Sequence, residues 1–291
     1  MSAKILVTGS SGQLGLEFCK TLSNKFEICG IGRKEADIRN YKQVITAINE
    51  HEPNIVIHTA ALTDVDLCEK DQNAAMEINS SGTRNVAKAA QRAGASIIYI
   101  STDYVFDGTK DTSYLESDKP NPVSHYGFTK LLGEKAVMEF HGNWTIIRTG
   151  WVYSLCRKNF LKSIVSAAKK KRQILRVVDD QFGSPTWTKD IVNQTLKIIE
   201  LGETGIFHVA AKGEISRFEL AKKVMNKLMP EVKIEACSTR DFPRPAKRPA
   251  RSSLRSERLE TMGIDIMRTI DESLNEFLTE YGGQLLNEMP D

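Results

Sequence analysis

Tyr126 and Lys130 stand four residues apart in the stretch SHYGFTK, just after the prolines of DKPNPV and at the start of a helical pattern. Four residues make about one helical turn, so the two side chains share a face. A phenol with a pKa of about 10 is a poor acid near neutral pH, and an ammonium beside it stabilises the phenolate and lowers that value. Such a pair can hand a proton to an oxygen that is gaining charge. Tyr and Lys are also ordinary helix-surface residues, so the reading depends on what the rest of the chain brings to them.

One partner is the stretch VTGSSGQLG, which sets Gly9, Gly12 and Gly15 at GxxGxxG spacing, directly after an apolar β-branched run and at the opening of a helical pattern. Glycines in that place let the backbone turn sharply and approach a pyrophosphate, and the helix N-terminus behind them offers free amides. A dinucleotide is the expected ligand, with Gln13 and Leu14 inside the same turn. The next strand ends in GIGRKEADI, where the adenosine ribose of such a ligand would lie. Arg33 and Lys34 there suit a 2′-phosphate, a lean toward NADPH over NADH, and equally suit a solvated loop. Asp37 and Ile38 follow, expected beside the adenine.

The elements that must position these residues read as βαβ units. Strand-like KILVTG, FEICGIG, NIVIHTAA, SIIYIST and WTIIRTGWVY alternate with helical LGLEFCKTLSN, YKQVITAINEH, AAMEINSSGTRNVAKAAQRAG and the Tyr126 segment. That rhythm predicts an α/β fold with a Rossmann-type doubly wound parallel sheet over residues 1–150, returning at about 181–212. Beyond it the rhythm loosens, and residues at about 151–180 and 213–291 are expected to form a smaller mixed α/β C-terminal domain. The stretch CSTRDFPRPAKRPARSSLRSERLE, rich in Pro, Arg and Ser, reads as loop, and TIDESLNEFLTEY as a last helix.

Lys and Arg number 40 against 37 Asp and Glu, and a net charge of +3 on 291 residues does not point to nucleic acid. The opening MSAKILVTG is too short an apolar run for a signal peptide or a membrane span, so a cytoplasmic location is expected. Five scattered cysteines, with no CxxC pair and no His cluster nearby, predict reduced thiols and no bound metal. Lysines and arginine at 169–172 read as a helix C-terminal cluster.

With the glycine turn, STDYVFDG at the end of a buried strand, and the Tyr126/Lys130 pair in one chain, the sequence resembles the extended short-chain dehydrogenase/reductases. More narrowly it is similar to the dTDP-4-dehydrorhamnose reductases, through TGSSGQLG, HTAALTDVDLCEKD, ISTDYVFDGT, YGFTKLLGEK, RTGWVY, DDQFGSPTW and RPARSSL. The resemblance implies a catalytic triad of Thr102, Tyr126 and Lys130, with Tyr126 and Lys130 also touching the cofactor, NADPH or NADH. It places Thr59, Ala60 and Ala61 along the cofactor and Asn79 near the active site. Thr102, Asp103, Tyr104, Trp151, Asn159, Phe160, Gln181, Thr186 and Arg248 are placed on a dTDP-sugar substrate.

The basic loop carrying Arg240, Arg244, Lys247, Arg248, Arg251 and Arg255 suits a nucleotide diphosphate, or a solvated surface. Arg251 stands where the family pattern RPxNSxL has asparagine, which puts that contact in doubt. The implied reaction is reduction of the C4 keto group of a nucleotide-bound 6-deoxy-4-keto sugar, dTDP-4-dehydro-L-rhamnose above all. Two other readings stay open: a non-catalytic NADP-binding subunit resembling the methionine adenosyltransferase beta subunit, and another nucleotide-sugar epimerase or dehydratase. A homodimer is also open, and a Mg2+ requirement has no signature in the sequence.

Overall fold

The computed structural model describes residues 3–140, 142–171 and 174–287. Strands and helices alternate through β1 (Lys4–Thr8), α1 (Gln13–Leu22), β2 (Glu27–Ile31), α2 (Tyr41–His51) and β3 (Ile55–His58). Two short helices follow, α3 (Val65–Lys70) and α4 (Gln72–Ala75), each started by an aspartate side chain, Asp64 or Asp71, that accepts a backbone N–H. The helix then widens into a π turn over Met76–Gly82 before tightening into α5 (Thr83–Arg92). β4 (Ser96–Thr102), α6 (His125–Phe140) and β5 (Trp144–Thr149) complete the first part of the chain.

Shorter pieces dominate afterwards. They are β6 (Val152–Tyr153), α7 (Phe160–Lys171), β7 (Ile174–Val178), β8 (Phe182–Gly183) and β9 (Thr186–Trp187). Next come α8 (Thr188–Glu200), β10 (Gly205–His208), β11 (Ile215–Ser216), α9 (Arg217–Leu228) and β12 (Lys233–Cys237), then α10 (Glu257–Thr261) and α11 (Ile270–Asn287). Arg172, the last residue of the basic cluster expected at the end of α7, lies outside the described residues.

The main sheet runs β10-β5-β4-β3-β1-β2, and every pairing in it is parallel. Alternation along the strands splits their side chains between two faces. Leu6, Val56, Ile97 and Ile146 pack with residues of α2 and α5, while Ile5, Val7, Ile57, Ile98 and Ile147 pack with Phe18 and Leu22 of α1 and Ile191 and Ile198 of α8. Each such side chain contributes about 1.5–3 kcal/mol by leaving water, which fixes the register of the strands and therefore of the residues at their ends. Strand order reverses between β1 and β3. In open sheets of this kind a crevice forms outside the carboxyl ends of the strands at that reversal.

A third apolar cluster joins Tyr153, Leu161, Val165, Leu175, Trp187, Leu220, Val224 and Phe277, drawn from α7, β7, α9, α11 and the short strands between them. β7 pairs with β12 in parallel, β6 with β9, and β8 with β11. The expected strand WTIIRTGWVY is broken at Gly150, because Trp151 takes φ +48° and turns the chain out of the sheet. The stretch read as loop is structured at both ends, by β12 and α10, and in its middle by single bridges from Arg251 to Phe182 and from Leu254 to Tyr114.

Candidate active site

The turn after β1 meets the start of β3's loop at the sheet's reversal. Gly9 has φ +71°, and a Cβ on it would lie 2.7 Å from Ala60 Cα; a Cβ on Gly15 would lie 2.2 Å from the Gly9 carbonyl oxygen. Only glycine fits either place, so the turn is as tight as backbone can make it. α1 begins behind it with no side-chain cap at Gly12, which leaves amide donors at a positive helix end. These features fit a dinucleotide pyrophosphate.

A cavity of about 320 Å3 continues from this turn past the end of β2, lined by Gly9, Arg33, Asp37, Ile38 and Ala60 together with Arg39. Arg33 is mostly exposed, 3.5 Å from the Asp37 carboxylate. Arg39, absent from the sequence reading, holds that carboxylate with Nη2 at 2.6 Å and Nε at 3.0 Å. Its hydrogen bonds bring Asp37 down to about 2. Glu35 accepts from the Gly32 N–H at 2.8 Å, so a carboxylate also closes the turn where a ribose would lie.

On the other side of the turn, a cavity of about 590 Å3 brings together Gly12, Gln13, Leu14, Gly15, Thr59 and Ala61 with Thr102, Asp103, Tyr104, Tyr126, Lys130, Trp151 and Asn159. Thr102 ends β4, where the sheet delivers it to the crevice. Its hydroxyl donates to Asp103 Oδ1 at 2.9 Å and accepts from the Tyr104 N–H at 3.2 Å. Ser252, deep in the Pro/Arg/Ser-rich stretch, donates to Asp103 Oδ2 at 2.6 Å. Burial raises Asp103 to about 6 against the pull of those two hydroxyls.

α6 brings in Tyr126 and Lys130, and its approach depends on Gly127. A Cβ there would lie 2.0 Å from the Tyr104 carbonyl oxygen, so a side chain would hold the helix off the end of β4. Lys130 Nζ donates to the Ile100 carbonyl at 2.7 Å and lies 4.2 Å from the Tyr99 ring centroid. Burial lowers it to about 7, with Glu134 pulling the other way. The expectation that Lys130 acidifies Tyr126 is corrected here. Burial raises the phenol above its ordinary value, a hydrogen bond with Thr102 opposes that, and Lys130 is spent on a carbonyl and a ring.

Asn79 lies in the π turn and is fully buried. Its side chain accepts from the Leu62 N–H at 2.8 Å and donates to the Leu62 carbonyl at 3.0 Å and to Thr129 Oγ1 at 3.1 Å. It therefore ties the loop after β3 to α6. A π turn inside a helix frequently marks a functional site.

A third cavity, of about 780 Å3, opens beyond Trp151 and is lined by Phe160, Gln181 and Arg248 with Arg176, Arg217 and Phe242. Asn159 sits between cavities, its amide donating to Gln13 Oε1 at 3.1 Å and to the Ser154 carbonyl at 2.7 Å. Arg248 lines the third cavity, yet its guanidinium is bound to both Asp66 oxygens, at 3.1 and 3.0 Å. Arg251 pairs with Glu214 at 2.5 Å. Thr186 lines none of these three cavities. Its hydroxyl is fully buried, donating to the Ser184 carbonyl and accepting from the Ala211 N–H, which makes it a backbone brace.

Known proteins agree with this arrangement over nearly the whole chain. A family model described as RmlD substrate binding domain matches residues 3–282. The spore coat polysaccharide biosynthesis protein SpsK of Bacillus subtilis is 38% identical over 278 residues, covering 95% of this chain and 97% of that one. The crystal structure of a dTDP-4-dehydrorhamnose reductase from Clostridium acetobutylicum superposes with a TM-score of 0.93 at 42% identity, over 96% of this chain and 99% of that one. The dTDP-4-dehydrorhamnose reductase of Bacillus anthracis, solved in complex with NADP, gives 0.93 at 38% identity over 96% and 100%. Identity of this order, sustained through both the glycine turn and the Tyr126 helix, means that the chain belongs to the RmlD family of dTDP-4-dehydrorhamnose reductases.

Proposed function

We propose that this protein is an NAD(P)H-dependent oxidoreductase that reduces the C4 keto group of dTDP-4-dehydro-L-rhamnose to give dTDP-L-rhamnose. The observation that carries the reading is the single cavity in which the glycine turn, Thr102, Tyr126 and Lys130 meet. Reducing a ketone needs a hydride at carbon and a proton at oxygen, delivered at one place. The nicotinamide of a bound cofactor would supply the hydride.

The chain supplies the rest. Tyr126 donates its phenolic proton to the C4 oxygen, and Thr102 holds that oxygen by a hydrogen bond. Lys130, fixed by the Ile100 carbonyl and the Tyr99 ring, places a cation in the cavity when it is protonated. Asp103, held in turn by Ser252, accepts the hydrogen bond of the Thr102 hydroxyl, and that hydroxyl turns to donate to the C4 oxygen when substrate binds. Gly9, Gly12 and Gly15 receive the pyrophosphate, and Arg39 and Arg33 flank the ribose. The cytoplasm is the location we propose, since the five cysteines are all free thiols.

The test is direct. Purified protein mixed with dTDP-4-dehydro-L-rhamnose and NADPH should consume the cofactor and form dTDP-L-rhamnose. Clear NADPH binding without turnover would replace this reading with that of a regulatory subunit.

A further inference from the structure

Among the described residues, Arg217 is the one cation that borders both the Tyr126 cavity and the larger cavity beyond Trp151. It opens α9 directly after Ser216, whose hydroxyl and Glu219 cap that helix reciprocally, so its backbone is firmly set. The guanidinium carbon lies 3.4 Å from the Trp151 ring centroid and 4.9 Å from that of Phe160. The Tyr104 side chain lies close enough to act electrostatically on the guanidinium.

Trp151 is itself held in an unusual way. Its backbone adopts φ +48°, a region non-glycine residues seldom enter and one the surroundings must hold it in. Its indole presses on Gly183, where a Cβ would come within 2.4 Å of Trp151 Cε2. The strain and the glycine together place one flat ring under one guanidinium.

Neighbouring cations already have anionic partners: Arg248 has Asp66, Arg251 has Glu214 and Arg176 has Asp241. Arg217 has the Trp151 and Phe160 rings beside it and feels Asp103 through space, and among the described residues no carboxylate pairs with it within 4.0 Å. The Asp103 carboxylate acts on Arg217 only at a distance and is itself held by Thr102 and Ser252, so this half-buried guanidinium keeps donors for an anionic ligand. A nucleotide sugar whose C4 oxygen lies at Tyr126 must extend its nucleotide out of that cavity, and a diphosphate separates its sugar from its base.

We propose that Arg217 takes the diphosphate of the substrate, and that Trp151 is a positioning residue holding the guanidinium flat between the two cavities. This assignment rests on the reductase reading for the identity of the ligand. It gives Trp151 a role through Arg217, where resemblance alone placed it against the sugar.

Calorimetric titration of dTDP and, separately, of NADPH into wild type, Arg217→Met, Arg217→Lys and Trp151→Leu tests it at fixed ionic strength. Arg217→Met should weaken dTDP binding by about tenfold or more, the worth of one or two charge-assisted hydrogen bonds, while NADPH affinity holds within about twofold. Arg217→Lys should recover part of the loss, because the charge returns without the planar stack. Trp151→Leu should weaken dTDP binding, and adding it to Arg217→Met should cost little more. In turnover, KM for the dTDP sugar should rise more than kcat falls, as expected for a group that grips substrate and transition state alike. Unchanged dTDP affinity in Arg217→Met, or equal losses of dTDP and NADPH affinity, would overturn the assignment. A wild type that binds dTDP through Arg217 yet reduces no dTDP-4-keto sugar would instead sink the reductase reading and leave the assignment in place.

Discussion

Lys130 and Asp103 meet at the mouth of β4 with their protonation displaced in opposite senses by the same cause, burial. Lys130 falls to about 7, so the cation it places in the cavity is lost as pH rises past that value. The expected profile of kcat/KM for ketone reduction therefore declines with a step near pH 7, and Lys130→Met should remove the step while raising KM for the cofactor. A step that survives in Lys130→Met would put the titrating group elsewhere. Asp103 rises to about 6 from a usual 3.8, so its protonated form is favoured by folding. A group raised in this way stabilises fully below its unfolded pKa, and that contribution is lost as pH climbs through about 4 to 6. The loss amounts to about 3 kcal/mol, from roughly two pH units at 1.36 kcal/mol each. Urea unfolding at pH 4 and pH 7 should show Asp103→Asn losing less stability over that interval than wild type does. Equal changes in the two proteins would mean that Asp103 titrates normally. Thr102, Tyr126 and Lys130 were reached through the family resemblance carried by STDYVFDG and YGFTK, and folding brings the three to one cavity. Arg39, Ser252 and Arg217 were not legible, since a lone cation or serine acquires meaning only from residues that folding brings beside it. The bracing of Thr186 was not legible either, since the backbone groups of Ser184 and Ala211 that its hydroxyl meets are brought to it by folding.

At the scale of elements, α6 matters for how closely it lies to β4. Gly127 sits in its first turns, where helix propensity alone would favour alanine by about 1 kcal/mol. Packing opposes that preference, because the added Cβ would meet the Tyr104 carbonyl oxygen at 2.0 Å. Overpacking of this kind costs about 1–3 kcal/mol, so the contact should win. Gly127→Ala should lower Tm and reduce kcat by displacing Tyr126 from Thr102, and a variant with unchanged Tm and kcat would show that the helix has slack. Alternating apolar strands and amphipathic helices made the main sheet readable from the chain, since strands buried on both faces leave a strong signal. The two-residue strands β6, β8, β9 and β11 carry no periodicity and could not be read. Neither could the π turn at Met76–Gly82, whose cause is the tertiary demand of Asn79 for the Leu62 backbone.

Across the whole molecule, the basic stretch joins parts of the chain that the sequence keeps far apart. Asp66, on α3 beside the main sheet, accepts from both guanidinium nitrogens of Arg248 and from the Ala246 N–H at 3.2 Å, and Arg244 lies 3.6 Å away. Burial pushes the Asp66 carboxyl up, yet those partners hold it below its usual value. Composition alone foresaw basic residues meeting an anion here, and the anion that Arg248 meets is the chain's own. The clasp spans the edge of the cavity that Arg248 lines, so its strength governs how readily the strap from Phe242 to Arg251 lifts. Trypsin can report on that motion at one bond. Arg244 and Arg248 each precede proline and resist cutting, which leaves the bond between Lys247 and Arg248 as the site to watch inside the strap. Asp66→Asn keeps the shape and removes the charge. If charge-assisted bonds worth about 1.5–3 kcal/mol hold the strap down, the substitution should speed cleavage there by about tenfold or more under conditions where opening precedes cutting. The fragment can be identified by mass, and global stability followed in parallel by Tm. A faster cut with little change in Tm is the expected result, because the link is local. An unchanged rate would mean that Pro243, Pro245 and Pro249, not the Asp66 carboxylate, keep the strap in place.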